Sequence, residues 1–318
     1  MYHYRGADSK IWETTNKNNL TMKKLFAFAV ALTAMVSCSD NLENTPATPA
    51  LPETPETDKL PINITTTLTR ATDSAFEQGD KVGIFVVNEP NSLASSGNHV
   101  DNTGFTYAGA TWSPDTPIYW LDQTTKASFY CYYPYTENAS TTAHTFATKA
   151  DQSTLENYKA SEFLWGTTAG VTPTEEAVGI TVNHTFSNIL IYLEAGNGFT
   201  PESFAAASKS VKINNIKTSA VINLANGVAT ATGDTTSVTP LNVGSYYRAM
   251  IIPQTVADGT ALITITVNGI DYNLRSGAVF IANKQHKFTV KVNKSSGSVD
   301  IGIGSWNESD NDYSGSAD

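Results

Sequence analysis

Along much of the chain, apolar residues recur at every second position. The clearest run is 262–274, where Ile263, Ile265 and Val267 alternate with Thr264 and Thr266 before Ile270, Tyr272 and Leu274 resume the pattern. A period of two puts one set of side chains on one face of a strand. Asn268-Gly269, between the two runs, supplies the positive φ angles of a type I′ turn, so the stretch predicts a β-hairpin. A strand is predicted over 286–292, with Phe288, Val290 and Val292 inward and Lys287, Thr289 and Lys291 outward. Another is predicted over 185–194, with Ile189, Ile191 and Leu193 on one face, and Val211 and Ile213 begin a short one. Residues 82–87, VGIFVV, are apolar at both phases and predict a central strand covered on both sides. Within 127–133, Phe129, Cys131 and Tyr133 share one face and Tyr130 and Tyr132 the other.

Helical patterns are confined to 201–208, PESFAAAS, and to a single turn near 154–160. Short strands separated by Gly, Asn and Pro at intervals of about 10–15 residues mark β-sandwiches. The chain therefore predicts an all-β fold.

The amino-terminal pattern differs in kind. Residues 1–21 are polar and mixed in charge, whereas Met22 opens MKKLFAFAVALTAMVSC, in which Lys23 and Lys24 precede an apolar run over 25–36. A helix needs ~20 residues to span a bilayer. The shorter run reads as a secretion signal over 22–37, which makes Met22 the expected start and 1–21 a misassigned leader. Val36-Ser37-Cys38 resembles a bacterial lipobox, whose cysteine is lipidated and becomes the mature N-terminus, with Met35 where such boxes usually carry Leu. The alternative is an ordinary signal that leaves Cys38 free and reactive. Residues 44–61, NTPATPALPETPETDKLP, hold five prolines and almost no large apolar side chains, so 38–59 is expected to be an extended tether.

Removing the first 37 of 318 residues leaves 281, room for two domains, and the pattern divides them near 185 into 60–185 and 186–318. A net charge of −10 argues against a nucleic-acid partner, which needs a basic surface. There are two cysteines; with Cys38 lipidated, Cys131 has no intrachain partner and reads as a packed core thiol. The histidines, His3, His99, His144, His184 and His286, are scattered, and no HExxH, CxxC, GxSxG or Gly-rich phosphate loop occurs. No catalysis, metal or cofactor is therefore expected. His184, placed at the start of a strand, reads as a hydrogen-bonded structural residue before a general base. The tail 310–315 has two carboxylates spaced as in a calcium loop but lacks the third and the closing Glu, and reads as a solvated end. Trp120, beside Asp122, with Tyr130 and Tyr132, offers rings that either stack on a sugar or fill a core.

Three motifs in order, TRATDSAFEQGDKVGIFVVN at 69–88, YCYYPY at 130–135 and VNHTFSNILIYL at 182–193, resemble the fimbrillin family of Bacteroidetes type V pili. The second half is similar only in general character, including Trp306 in GIGSW. The resemblance implies a lipoprotein precursor at the outer membrane, folded as two transthyretin-like Greek-key β-sandwich domains. It also implies an Arg- or Lys-specific surface protease that cuts in the loop after the first strand. The lost strand opens a groove that a strand of another pilus subunit fills by β-augmentation, and such head-to-tail contacts propagate into a filament. On this sequence the displaced strand is 60–68, with Ile62, Ile64, Thr66 and Leu68 on one face, and cleavage falls after Arg70 unless Arg70 is only a turn residue. Residues 307–318 are polar and make a poor donor strand, which puts a tip or accessory place beside a stalk place. The alternative function is a surface glycan-binding lipoprotein that never polymerises and touches the membrane only through its lipid.

Overall fold

Alternation becomes strand in the computed structural model, which describes residues 59–68, 75–294 and 310–317. The first half forms β1 (Ile64–Leu68), β2 (Lys81–Asn88), β3 (Val100–Tyr107), β4 (Trp112–Pro114), β5 (Ala127–Tyr133), β6 (His144–Ala147), α1 (Leu155–Lys159), β7 (Leu164–Val171) and β8 (Val178–His184). The second half opens with β9 (Ser187–Ala195), α2 (Pro201–Ala206), β10 (Lys209–Asn223), β11 (Val228–Val238), β12 (Leu241–Asn242) and β13 (Tyr247–Ile251). It continues with β14 (Gln254–Val256), β15 (Ala261–Val267), β16 (Ile270–Arg275), β17 (Ala278–Phe280), β18 (Gln285–Val292) and β19 (Asp310–Ala317). The protein is all-β apart from two short helices among the described residues. The predicted hairpin is β15–β16, with Asn268 and Gly269 at φ 50° and 84°.

In the first sheet the strands lie in the order β1, β8, β7, β5, β2, β3, β4. Every pairing is antiparallel except β1 with β8. The run apolar at both phases lies near its centre: Val82, Ile84 and Val86 face one core and Phe85 another. β5 divides the same way, with Phe129 and Cys131 in the first core and Tyr132 in the other. Residues 60–62, before β1, meet 118–120, after β4. Ile62 N donates to Ile118 O and Trp120 N to Leu60 O, each at 2.9 Å. These bonds draw the two ends of the sheet together around a core that includes Ile64, Phe105, Trp120 and Ile180.

Two further sheets face each other: β11, β10, β15 and β16 in one, with β6 of the first half paired to β10 over Ser219–Ile222, and β12, β13, β9, β18 and β19 in the other. Ile189, Ile191, Val211, Ile265, Phe288 and Val290 fill the space between them. The short strand expected at 211 is in fact 15 residues long. Its register on β11 slips between Ile213 and Ile216 and again between Lys217 and Ser219, with Asn215 at φ 61°. Asn tolerates that left-handed conformation better than most residues. Bulges change the inward phase, from Val211 and Ile213 to Ile216 and then Ala220 and Ile222, so the alternation breaks while the strand continues. Past the bulges, Ala220, Ile222 and Leu224 leave the second core and pack with Phe85, Tyr132, Phe163 and Phe186 on the far face of the first sheet.

Two further expectations change. His184 ends β8 instead of opening a strand, because the next strand starts at Ser187. The tail read as a solvated end is β19, which runs parallel to β18 with Tyr313 beside Phe288. A ladder uses backbone N–H and C=O groups, so a polar sequence can extend it.

Candidate functional site

The edge of the first sheet is written in LPINITTTL, residues 60–68. β-Branched Ile and Thr favour extended backbone, and their alternation gives an inner and an outer row. Ile62 and Ile64 are 2% and 5% exposed. Thr66 is half-buried, while Asn63, Thr65 and Thr67 are exposed. Facing the inner row, β8 presents the buried Val178, Ile180 and Val182, aligned with Ile64, Thr66 and Leu68. Val178 N donates to Asn63 O at 2.8 Å. Ile62 and Ile64 thus belong to the same core as Trp120, Phe129 and Leu164. Thr66 is the odd member of the row, since its hydroxyl is buried and has no hydrogen-bond partner.

Among the described residues, β1 has a strand on one side only. Its neighbour β8 is joined to β7 over Leu164–Gly166, where a Cβ added at Gly166 would stand 2.0 Å from the Thr181 carbonyl oxygen. Further along, Thr168 Oγ1 donates to Gly179 O at 2.9 Å. The closing segment 118–120 was not visible in the sequence as a partner of 60–62, although Ile118 and Trp120 flank Tyr119 in an alternating trio.

Cys38 and Arg70 lie outside the described residues. Leu68 is placed by its backbone, opposite Val182. Of the two readings given to the rings considered for sugar stacking, burial favours the core for Trp120 and Tyr132. Trp120 is 4% exposed, meets Phe129 edge-on and donates its indole N–H to Thr174 O at 3.2 Å. Tyr132 is 1% exposed and donates to Asn102 Oδ1 at 2.7 Å, and only Tyr130 is half-buried. Neither Trp120 nor Tyr132 has a free ring face for a pyranose.

Asp122 accepts from the backbone N–H and hydroxyl groups of Thr125 and Thr124, and those bonds, led by the Thr125 hydroxyl, hold its carboxyl below the usual carboxylate range. That is a local turn. Cys131 is buried, and burial pushes its thiol far above the ordinary value, the opposite of a nucleophile. His184 Nδ1 pairs with Glu162 Oε1, a buried carboxylate, on the way from β8 to β9. Among the described residues, no group of three His, Cys, Asp or Glu side chains is placed to hold a metal ion. No helix of the described residues is long and apolar enough to cross a membrane.

A protein of Bacteroides uniformis named as a fimbrium subunit, Fim1C, is 25% identical over 304 residues, 90% of this chain and 96% of that one. Two solved structures named as cell adhesion proteins share the fold. The one from Bacteroides uniformis has a TM-score of 0.60 at 20% identity and covers 76% of this chain and 95% of its own. The one from Bacteroides ovatus has a TM-score of 0.59 at 18% identity and covers 73% and 92%. Residues 69–306 match the model of the fimbrillin-like family, and with most of its length inside that match the chain belongs to this family.

Proposed function

We propose that this chain is a non-enzymatic subunit of a cell-surface fimbrium, made as a lipidated precursor and activated by strand exchange. In this reading Cys38 carries lipid at the outer membrane and residues 38–59 are the tether. An Arg- or Lys-specific surface protease cuts after Arg70, and a strand of another subunit takes the place of β1. The observation that carries the reading is the seat of β1. The strand is at a sheet edge, is paired on one side, and lies just before Arg70 in sequence, yet its inner row reaches the core. Its removal would leave a groove lined by β8 and by 118–120, bounded by backbone groups ready to pair again.

The family is a fimbrial one and not an enzyme family. In the two-domain, transthyretin-like Greek-key reading over 60–185 and 186–318, one core takes its residues from 62–182 and another from 189–292, while a third joins Phe85 and Tyr132 to Ala220 and Ile222 across the boundary. Composition sets a tip or accessory place beside a stalk place, because DNDYSGSA in β19 offers Tyr313 as its one large side chain of apolar character. The glycan-binding alternative has lost Trp120 and Tyr132 to the core.

Trypsin treatment of the purified precursor is expected to give a stable fragment beginning at Ala71 that enters filaments in electron micrographs. The Arg70→Ala chain should remain uncut and unassembled. Assembly of Arg70→Ala at the rate of the unmodified protein would remove the cleavage step from the reading.

A further inference from the structure

We infer that Thr66 makes β1 the weaker occupant of its own groove, and that the segment of another subunit replacing β1 carries an aliphatic side chain, valine or isoleucine, at that register. The inference rests on the strand-exchange reading and adds what chemistry the incoming strand must have. Thr66 lies beside Ile180, which is fully buried, and is flanked along the inner row by Ile64. A neighbouring threonine shows the contrast. Thr67, on the outer row, is exposed and has its hydroxyl 3.4 Å from that of Thr181, whereas the Thr66 hydroxyl is shielded from water and has no partner. A buried hydroxyl that loses its hydrogen bonds to water without replacing them is penalised, while a methyl group of nearly the same shape is not.

The groove therefore holds β1 through Ile62 and Ile64 and through backbone pairing, but gains less at the third inward position than it would from an aliphatic side chain. An occupant that must later leave needs this balance: enough contact to complete the folded precursor, and less than its successor makes. The incoming strand is thus expected to read aliphatic, aliphatic, aliphatic at the positions of Ile62, Ile64 and Thr66, with polar residues between.

Two measurements separate this inference from the reading beneath it. In the intact chain, Thr66→Val is expected to raise the urea midpoint followed by tryptophan fluorescence, and Thr66→Ser is not. If Thr66→Val does not raise the midpoint, the inference is overturned whatever happens in assembly. In the chain cut after Arg70, a fluorescent LPINITVTL peptide should displace the resident strand at about tenfold lower concentration than LPINITTTL, a ratio equal to about 1.4 kcal/mol. Equal displacement by the two peptides overturns the inference and leaves exchange standing. Displacement by neither, with Thr66→Val still stabilising the intact chain, overturns the exchange reading and with it the rule for the incoming strand.

Discussion

Among the described residues the outer side of β1 carries no strand, and neither does the outer side of β13 beyond Arg248, where its pairing with β12 ends. The two are protected differently. At β13 a side chain stands in for a strand: Gln152 Nε2 donates to Met250 O at 2.9 Å, and Met250 N donates to Gln152 Oε1 at 2.8 Å. Gln152 is fully buried, and from the adjoining α1 Tyr158 packs with Leu241 and Met250 beneath the Arg248 guanidinium. One amide satisfies one N–H and one C=O and then blocks the approach of anything longer. At the other edge the protection is itself a strand, since β1 covers the edge of β8, and a strand is replaceable by any other of matching period and register. An edge closed by a side chain is sealed, whereas an edge closed by a short strand is only occupied.

The sharpest way to break this comparison is to unseat β8. Gly166→Ala puts a Cβ 2.0 Å from a backbone oxygen of Thr181, which cannot move without parting β7 from β8. A loss of about 3 kcal/mol or more is expected. Urea unfolding followed by tryptophan fluorescence should show it, since Trp112, Trp120 and Trp165 all lie in the first half. A midpoint equal to that of the unmodified protein would mean that β8 is not anchored through Gly166.

Gln152→Ala probes the sealed edge. It strips the buried Met250 N–H and C=O of their partner, and about 2–3 kcal/mol should be lost, with faster hydrogen exchange at the Met250 amide. A change below about 0.5 kcal/mol would place the glutamine among ordinary surface substitutions and end its role as a seal.

The smallest effect is confined to acid. His286, in β18, is buried and accepts from Ile281 N at its Nε2, and burial pushes its imidazole from 6.5 down to about 4. The unfolded chain takes up a proton between those two values and the folded chain does not, so stability is intact above about pH 6.5 and falls as pH drops toward 4. The contribution is on the order of 2 kcal/mol, and it belongs to β18. Urea midpoints at pH 7 and pH 5 should therefore differ more for the unmodified chain than for His286→Gln. Equal differences would show that other groups account for the acid sensitivity.

Much of this was legible in the sequence. The hairpin of β15 and β16, the two-faced β2, the split faces of β5 and the inward row of β18 all follow from period-two alternation with a turn signal, because each side chain's face is fixed by its neighbours. Legibility stopped where the backbone departed from that period. The bulges around Asn215 hid the length of β10, and no alternation announced β19. At the candidate site, the inward residues Ile62, Ile64 and Thr66 were readable, but their parallel partner β8, over a hundred residues later, was not.

By itself, then, the sequence determined the class of fold and the faces of its regular strands, since these depend on local spacing and on residue type. Only the tertiary structure decided that β1 is an outermost strand, that Trp120 and Tyr132 are interior, that Gln152 closes β13 and that the Thr66 hydroxyl has no partner. Each of these is a statement about which distant backbone or side chain lies alongside, and alternation along one strand carries no information about the identity of its neighbour.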